Sequence, residues 1–361
     1  MRDYAVAPGE YLDEWLEEHP EITQTQLADD LGISRKQVNA ILHGRAVIST
    51  QVAMRLEKVT PISARAWLVY QAEYDSNVAR LAEEHELEKH ADDISPQTAK
   101  YLRDIGATTA TRHNIGRLYA DLLAHTGCGS YEVFRKRCEN AFSGPDAVAA
   151  LRESGKQVDP VALLAWVAQA EKSDAFRHLH AARYTRTTLL EAIPQIRNRA
   201  AHPDLQMLSD IQEMLATVGV VLVDCTPPDK FPLHGITYWS DDSPIVLYTE
   251  RRKKDGYIVW AIFHELGHVL NDNRNGGQYG LAKTKIQRAE EEKVANKFAK
   301  MTLFGSAGLS PFKGRTSSAE IKAIAQEVGV SPGVAVAAMH RARMLPYNCG
   351  NDLMVDLVEM S

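Results

Sequence analysis

Apolar residues recur at helical spacing along most of the chain, and short alternating or wholly apolar runs break that pattern only near residue 220 and beyond. Close to the N-terminus two hydroxyl residues are each followed three positions later by an amide, Thr23 with Gln26 and Ser34 with Gln37. These capping boxes predict two short helices that start at about 24 and 35, with the Leu31-Gly32-Ile33 turn between them. From 76 to 205 the segments VARLAEEHELEKH, IGRLYADLLAHTG, YEVFRKRCENAF and VALLAWVAQAEKSDAFRHLHAARY carry helical period and high helix propensity. Gly127-Cys128-Gly129, Ser143-Gly144-Pro145 and Asp159-Pro160 punctuate them. Three strands are predicted at 219–224 (GVVLVD), 234–239 (HGITYW) and 244–248 (PIVLY). A helix follows from Gly256 to Leu270 with Ile262, Leu266, Val269 and Leu270 as its buried stripe, and a second over 288–304 is built on Val294, Ala295, Phe298 and Ala299.

The pattern predicts a mainly α protein with a small β-sheet. At 361 residues the chain exceeds what one core fills, so several domains are expected: an all-α helix-turn-helix over 1–75, a helical middle over 76–205, and an α+β part over 206–361. The Trp67, Tyr70, Tyr74 spacing reads as a core stripe.

The net charge of −6 excludes general coating of nucleic acid, so any DNA contact must be local. Such a patch exists. From Ser34 to Arg65 the bases Arg35, Lys36, Arg45, Arg55, Lys58 and Arg65 face Glu57 alone. In a helix-turn-helix the second helix enters the major groove, and Arg35, Lys36, Gln37 and Asn39 occupy its first turn and a half, where bases and phosphates are touched. Gln24 and Arg45 are placed to hold phosphates. The partner is therefore double-stranded DNA, an own operator or a nearby promoter. No apolar run reaches membrane-spanning length and the N-terminus lacks the plan of a signal peptide, which predicts a cytoplasmic protein without a membrane partner. Cys128, Cys138, Cys225 and Cys349 are too few and scattered for a disulfide framework or a thiolate cluster, and read as packing thiols.

The sharpest chemistry lies in FHELGH at 263–268, where His264 and His268 stand one helical turn apart and project from one face. That is the spacing of two ligands to a catalytic zinc ion, Zn2+, with Glu265 beside them as the general base that takes a proton from water. A third ligand is sought among Glu290, Glu291 and Glu292. Glu292 is chosen because it lies one turn before Asn296, opposite the apolar stripe, so that Asn296 can hold a histidine ring from behind. The competing reading of the acidic triplet is a solvated helix start. Tyr238, Tyr248, Tyr257, His234 and His340 are all candidates to stabilise an oxyanion. An edge position for 244–248 would let a substrate peptide add as a further strand. Arg251-Arg252-Lys253-Lys254 reads as a solvated turn or an acidic-substrate clamp, and the His178, His180, Arg183, Arg186 cluster as a solvated face or an acidic-partner contact.

HGITYW, PIVLY, FHELGHVL and EEKVANKFA resemble the ImmA/IrrE family of zinc metallopeptidases over roughly 205–345, including the tail IKAIAQEVGVSPGVAVAAMH. The resemblance implies a zincin-like, gluzincin-type domain with His264, His268 and Glu292 as ligands and Glu265 as base, acting on a repressor or related regulatory protein. The chain departs from the family near Tyr248, at Asn271 and Asp272, and at Phe304-Gly305, none of them a ligand. Residues 7–75, with PGEYLDEWLEEH and STQVAMRLEKVTPISARAWLVYQAEYD, resemble a HigA-type antitoxin of the XRE helix-turn-helix class. That implies a lambda-repressor-like fold, a homodimer, and a toxin among the partners. Together these features describe a DNA-binding regulator fused to a zinc endopeptidase that cleaves a repressor or antitoxin. The alternative is a transcription factor or antitoxin whose zinc domain is structural or ligand-sensing.

Overall fold

A hydroxyl residue precedes each of four consecutive N-terminal helices, and each hydroxyl accepts the backbone N–H three residues on, which satisfies a donor that helix geometry leaves open. The computed structural model describes residues 4–111, 113–141, 158–177, 182–233, 235–240, 242–249, 254–271 and 285–357, with backbone alone at 141, 175, 177 and 285–289. After α1 (Pro8–Glu18), the capped helices are α2 (Gln24–Leu31), α3 (Arg35–Leu42), α4 (Thr50–Val59) and α5 (Ala64–Leu87), with Thr23, Ser34, Ser49 and Ser63 as caps. The helices predicted at 24 and 35 start there, on the hydroxyl half of each predicted box. Leu12, Leu27, Leu31, Val38, Ile41, Leu56 and Trp67 form the core of this bundle. Of the predicted aromatic stripe Trp67 is fully buried, while Tyr70 is only partly so.

Contacts divide the chain into two units, residues 1–91 with 110–120 and residues 92–109 with 121–361. The boundary expected at 75 falls inside α5, which runs unbroken for 24 residues. The boundary expected at 205 falls within the second unit. Helices α6 (Pro96–Asp104), α7 (Ile115–His125), α8 (Tyr131–Ala141), α9 (Pro160–Ala170) and α10 (Asp174–Arg177) lie within the predicted helical middle. Within the second unit Trp166 of α9 donates to the Cys225 carbonyl at 2.9 Å and packs edge-on to Phe231.

The second unit continues through α11 (Arg186–Ala200), α12 (Met207–Ala216), β1 (Val221–Asp224), β2 (Gly235–Ser240) and β3 (Ser243–Tyr248). The sheet order is β1-β3-β2, with β1 parallel and β2 antiparallel to β3. The segment 244–248 is thus the central strand and not an edge, which corrects the sequence reading; its near-continuous burial is what a strand paired on both sides requires. The edge beside the next helix is β2. Helices α13 (Asp255–Leu270), α14 (Lys285–Phe304), α15 (Ser318–Val328) and α16 (Pro332–Arg341) complete the unit. The predicted stripe of α13 is buried in full, and its C-terminal carbonyl at Leu270 accepts from Arg186, which itself stands exposed, as the solvated-face reading has it. In α14 the buried row is Ala295, Ala299 and Leu303, at one-turn spacing, and Val294 is exposed rather than part of the stripe.

Among the described residues no helix is long and apolar enough to cross a membrane. All four cysteines are free thiols, and Cys349 is exposed, so the packing role does not extend to it.

Candidate functional site

In the first unit Gly32 adopts the left-handed conformation (φ 61°) that ends α2, and the turn carbonyls of Leu31 and Gly32 both accept from Arg55 at 2.9 Å. Arg55, read from the sequence only as part of a basic patch, is therefore a clamp on the turn. Arg35, Lys36 and Gln37 stand exposed at the start of α3, while Val38, Ile41 and Leu42 face the core. Asn39 is half-buried, and its Oδ1 accepts from the exposed Arg45 at 2.9 Å, so the two act as a pair. Gln24 is half-buried at the first position of α2. The Gln71 side chain accepts from Ile48 N–H at 2.8 Å and so fixes the loop after α3.

In the second unit α13 is buried on nearly every side, which fixes the direction of His264, Glu265 and His268 in its C-terminal half. Gly267 lets α14 approach closely, since a Cβ there would lie 2.9 Å from Ala295 Cα. That approach brings Glu292, one turn earlier on α14, to the two rings. His264 and His268 Nε2 are 3.2 Å apart, and they lie 3.3 and 3.4 Å from Glu292 Oε2 and Oε1. A tetrahedral ion with bonds of about 2.0–2.1 Å holds its ligand atoms about 3.3–3.4 Å apart. The two ring nitrogens, and each of them with its nearer Glu292 oxygen, come close to those separations, and among the described residues this is the only His, Cys, Asp or Glu group whose three ligand atoms lie within 4.8 Å of one another. Burial opposes charge on Glu292, but the two imidazoles overcome it and hold the carboxyl well below its usual range. Burial likewise opposes charge on His268, and the neighbouring glutamates, Glu292 first, raise its pKa nonetheless.

Asn296 does not reach a ring. Its amide donates to the Glu292 carbonyl of its own helix at 2.7 Å, as a side chain does to the turn beneath it, and His264 Nδ1 is buried with no hydrogen bond among the described residues.

Glu265 is buried and bordered by β2, where Thr237 donates to its Oε2 at 2.7 Å. Neither Thr237 nor Gly235 was singled out from the sequence, though strand alternation in GITYW places both on one face. Of the oxyanion candidates, Tyr238 points to the other face of β2 and bonds Glu171 at 3.3 Å, and Tyr248 lies in the core. His234 lies outside the described residues. Tyr257 lines the cleft, but its hydroxyl is 2.9 Å from His340 Nδ1, while His340 Nε2 is 2.9 Å from the Cys349 carbonyl. Because a carbonyl only accepts, Nε2 carries the proton of a neutral ring and Nδ1 accepts from Tyr257. The phenol proton is thereby committed to His340, which itself is buried.

The cleft over the triad has a volume of about 250 Å³ and is walled by Leu233, Ile258, Trp260, Tyr257 and Tyr347, with Arg341 5.2 Å above the Trp260 ring. Of the basic run before α13, residues 251–253 lie outside the described residues, and Lys254 pairs with Asp356 at 2.8 Å. His178 and His180 also lie outside them, and Arg183 is exposed.

Residues 16–67 match the helix-turn-helix family HTH_3. No curated protein matches the chain. Among solved structures, an addiction module antidote protein of the HigA family from Coxiella burnetii is similar, with 35% identity over 25% of this chain and 95% of its own, and a TM-score of 0.23.

Proposed function

We propose that this chain, which carries an N-terminal DNA-binding helix-turn-helix domain of the kind found in transcription regulators, is also a zinc-dependent endopeptidase of the ImmA/IrrE type that cleaves a repressor or antitoxin. The observation that carries the reading is the triad His264, His268 and Glu292, whose ligand atoms lie within 4.8 Å of one another, with Glu265 lining the same cleft. A structural zinc site has no need of such a carboxylate. When bound, zinc would polarise the scissile carbonyl and acidify water. Glu265 takes the proton of the attacking water and passes it to the leaving amine. The substrate class, a DNA-binding protein encoded nearby, rests on the family resemblance and on fusion to a domain that would bring the peptidase to the same DNA. The HigA-type resemblance of residues 7–75 adds a toxin to the partners to be tested.

Metal analysis tests the site directly. His264→Ala, His268→Ala and Glu292→Ala are each expected to lose most of the zinc, whereas Glu290→Ala and Glu291→Ala keep it. Full zinc in Glu292→Ala would remove the third ligand from the scheme.

For the DNA-binding unit, Arg35, Gln37 and Asn39 are expected to carry sequence preference and Arg45 general affinity. Arg45→Ala should weaken specific and nonspecific binding together and flatten the slope of log affinity against log salt by about one. Because Arg45 holds Asn39, a modest loss of preference should accompany it. An unchanged slope would take Arg45 away from the phosphates.

A further inference from the structure

We propose that Thr237 on the edge strand is the positioning residue for Glu265, and that Gly235 leaves the space in which the other carboxylate oxygen works. The proposal rests on the zinc-peptidase reading above. Thr237 is paired in register with Val246 of the central strand, so its hydroxyl is carried on a fixed element rather than a loop. It donates to Glu265 Oε2 at 2.7 Å and stands 3.3 Å from the carbonyl oxygen of the same residue. A hydroxyl has one proton, and the shorter contact takes it. Two residues earlier on the same face, a Cβ on Gly235 would lie 2.9 Å from Glu265 Oε1 and 3.2 Å from its Cδ and Cγ. β2 thus grips the carboxylate by a donor at one oxygen and by the absence of a side chain at the other. Gly235 and Glu265 both line the cleft, so Oε1 is the oxygen offered to the reacting water while Oε2 is held. Without the hydroxyl the carboxylate turns about its last torsion, whose wells are broad, and its working oxygen is no longer aimed.

The test uses the zinc-loaded full-length protein and acetohydroxamate, which chelates zinc and places a hydroxyl against the neighbouring carboxylate. Binding is read by calorimetry, with zinc content and melting temperature measured beside it. Thr237→Val is expected to keep its zinc and to weaken acetohydroxamate by about tenfold to a hundredfold, the range for losing a hydrogen bond to a charged group. Thr237→Ser should return to within about threefold of wild type, since it restores the donor. Gly235→Ala should also weaken binding, because its new methyl displaces Oε1. Wild-type binding by Thr237→Val, or a Ser variant as weak as the Val variant, overturns the assignment. Should Thr237→Val fail to fold, Gly235→Ala decides, and wild-type binding by it overturns the assignment equally. A wild-type protein that takes up no zinc, or zinc but no hydroxamate, defeats the peptidase reading itself, whereas a bound wild type with unaffected variants defeats the positioning role alone.

Discussion

Glu265→Gln is expected to leave zinc content, folding and DNA binding at the wild-type level while slowing peptide cleavage on the order of a hundredfold to ten-thousandfold, the usual cost of losing a general base. The substitution is nearly isosteric. The amide oxygen can still accept from Thr237, which now holds Oε2 at 2.7 Å, and Gly235 leaves room for the amide group. None of the three ligand atoms belongs to Glu265. What disappears is an acceptor for the water proton. The comparison is made in cells carrying wild type or Glu265→Gln, under DNA damage and other stresses, by following the levels of candidate repressors. Loss of a repressor with wild type only is the expected result. Equal regulation of target genes by both forms, with no protein cleaved by either, would leave the triad as a structural or sensing element and the chain as a DNA-binding regulator without proteolysis.

The parts of this fold that could be read in the sequence are those set by local periodicity. Helix α13 and the shared face of His264 and His268 follow from residues one turn apart, and the starts of α2 and α3 follow from their capping hydroxyls. Glu292 could be chosen because one-turn spacing also governs α14, yet the same reasoning misassigned Val294, which lies at the border of an apolar row where one residue of rotation decides exposure. What could not be read is whatever depends on pairing across the chain. Strand order is such a property, so the edge was sought at 244–248 when β2 holds it. The roles of Thr237 and Arg186 are others, since their partners lie 28 and 84 residues away. Asn296 fails for a different reason: an amide one turn after a helical carbonyl has a bond within its own helix at hand, and took it.

The junction that aims α13 makes the second large prediction. Gly256→Ala should cost on the order of 3–5 kcal/mol, above the usual range for overpacking, because no side chain is available to give way. A Cβ on Gly256 would stand 2.1 Å from the Gly333 carbonyl oxygen and 2.6 Å from its carbon, so two backbones must part. They are held together on the other side as well. A Cβ on Gly333 would strike Asp255 Oδ1 at 2.1 Å, and Asp255 is fully buried. Its carboxylate accepts from Ser331 Oγ at 2.6 Å and from Val355 N–H at 2.9 Å, while its own N–H donates to the Val355 carbonyl at 2.9 Å. Burial raises the Asp255 pKa, and these donors work against the rise. The first turn of α13 is therefore clamped between α16 and residues 354–357, and separating them tilts the helix that presents His264 and His268. Urea midpoints of the second unit measure the effect, with Gly129→Ala as the comparison, since a Cβ there meets nothing within 4 Å and should change stability by no more than about 0.5 kcal/mol. Zinc uptake should weaken in parallel with the fall in midpoint. A Gly256→Ala protein that unfolds at the same urea concentration as Gly129→Ala would show that the two helices can part without cost, and that the clamp does not set the aim of the ligands.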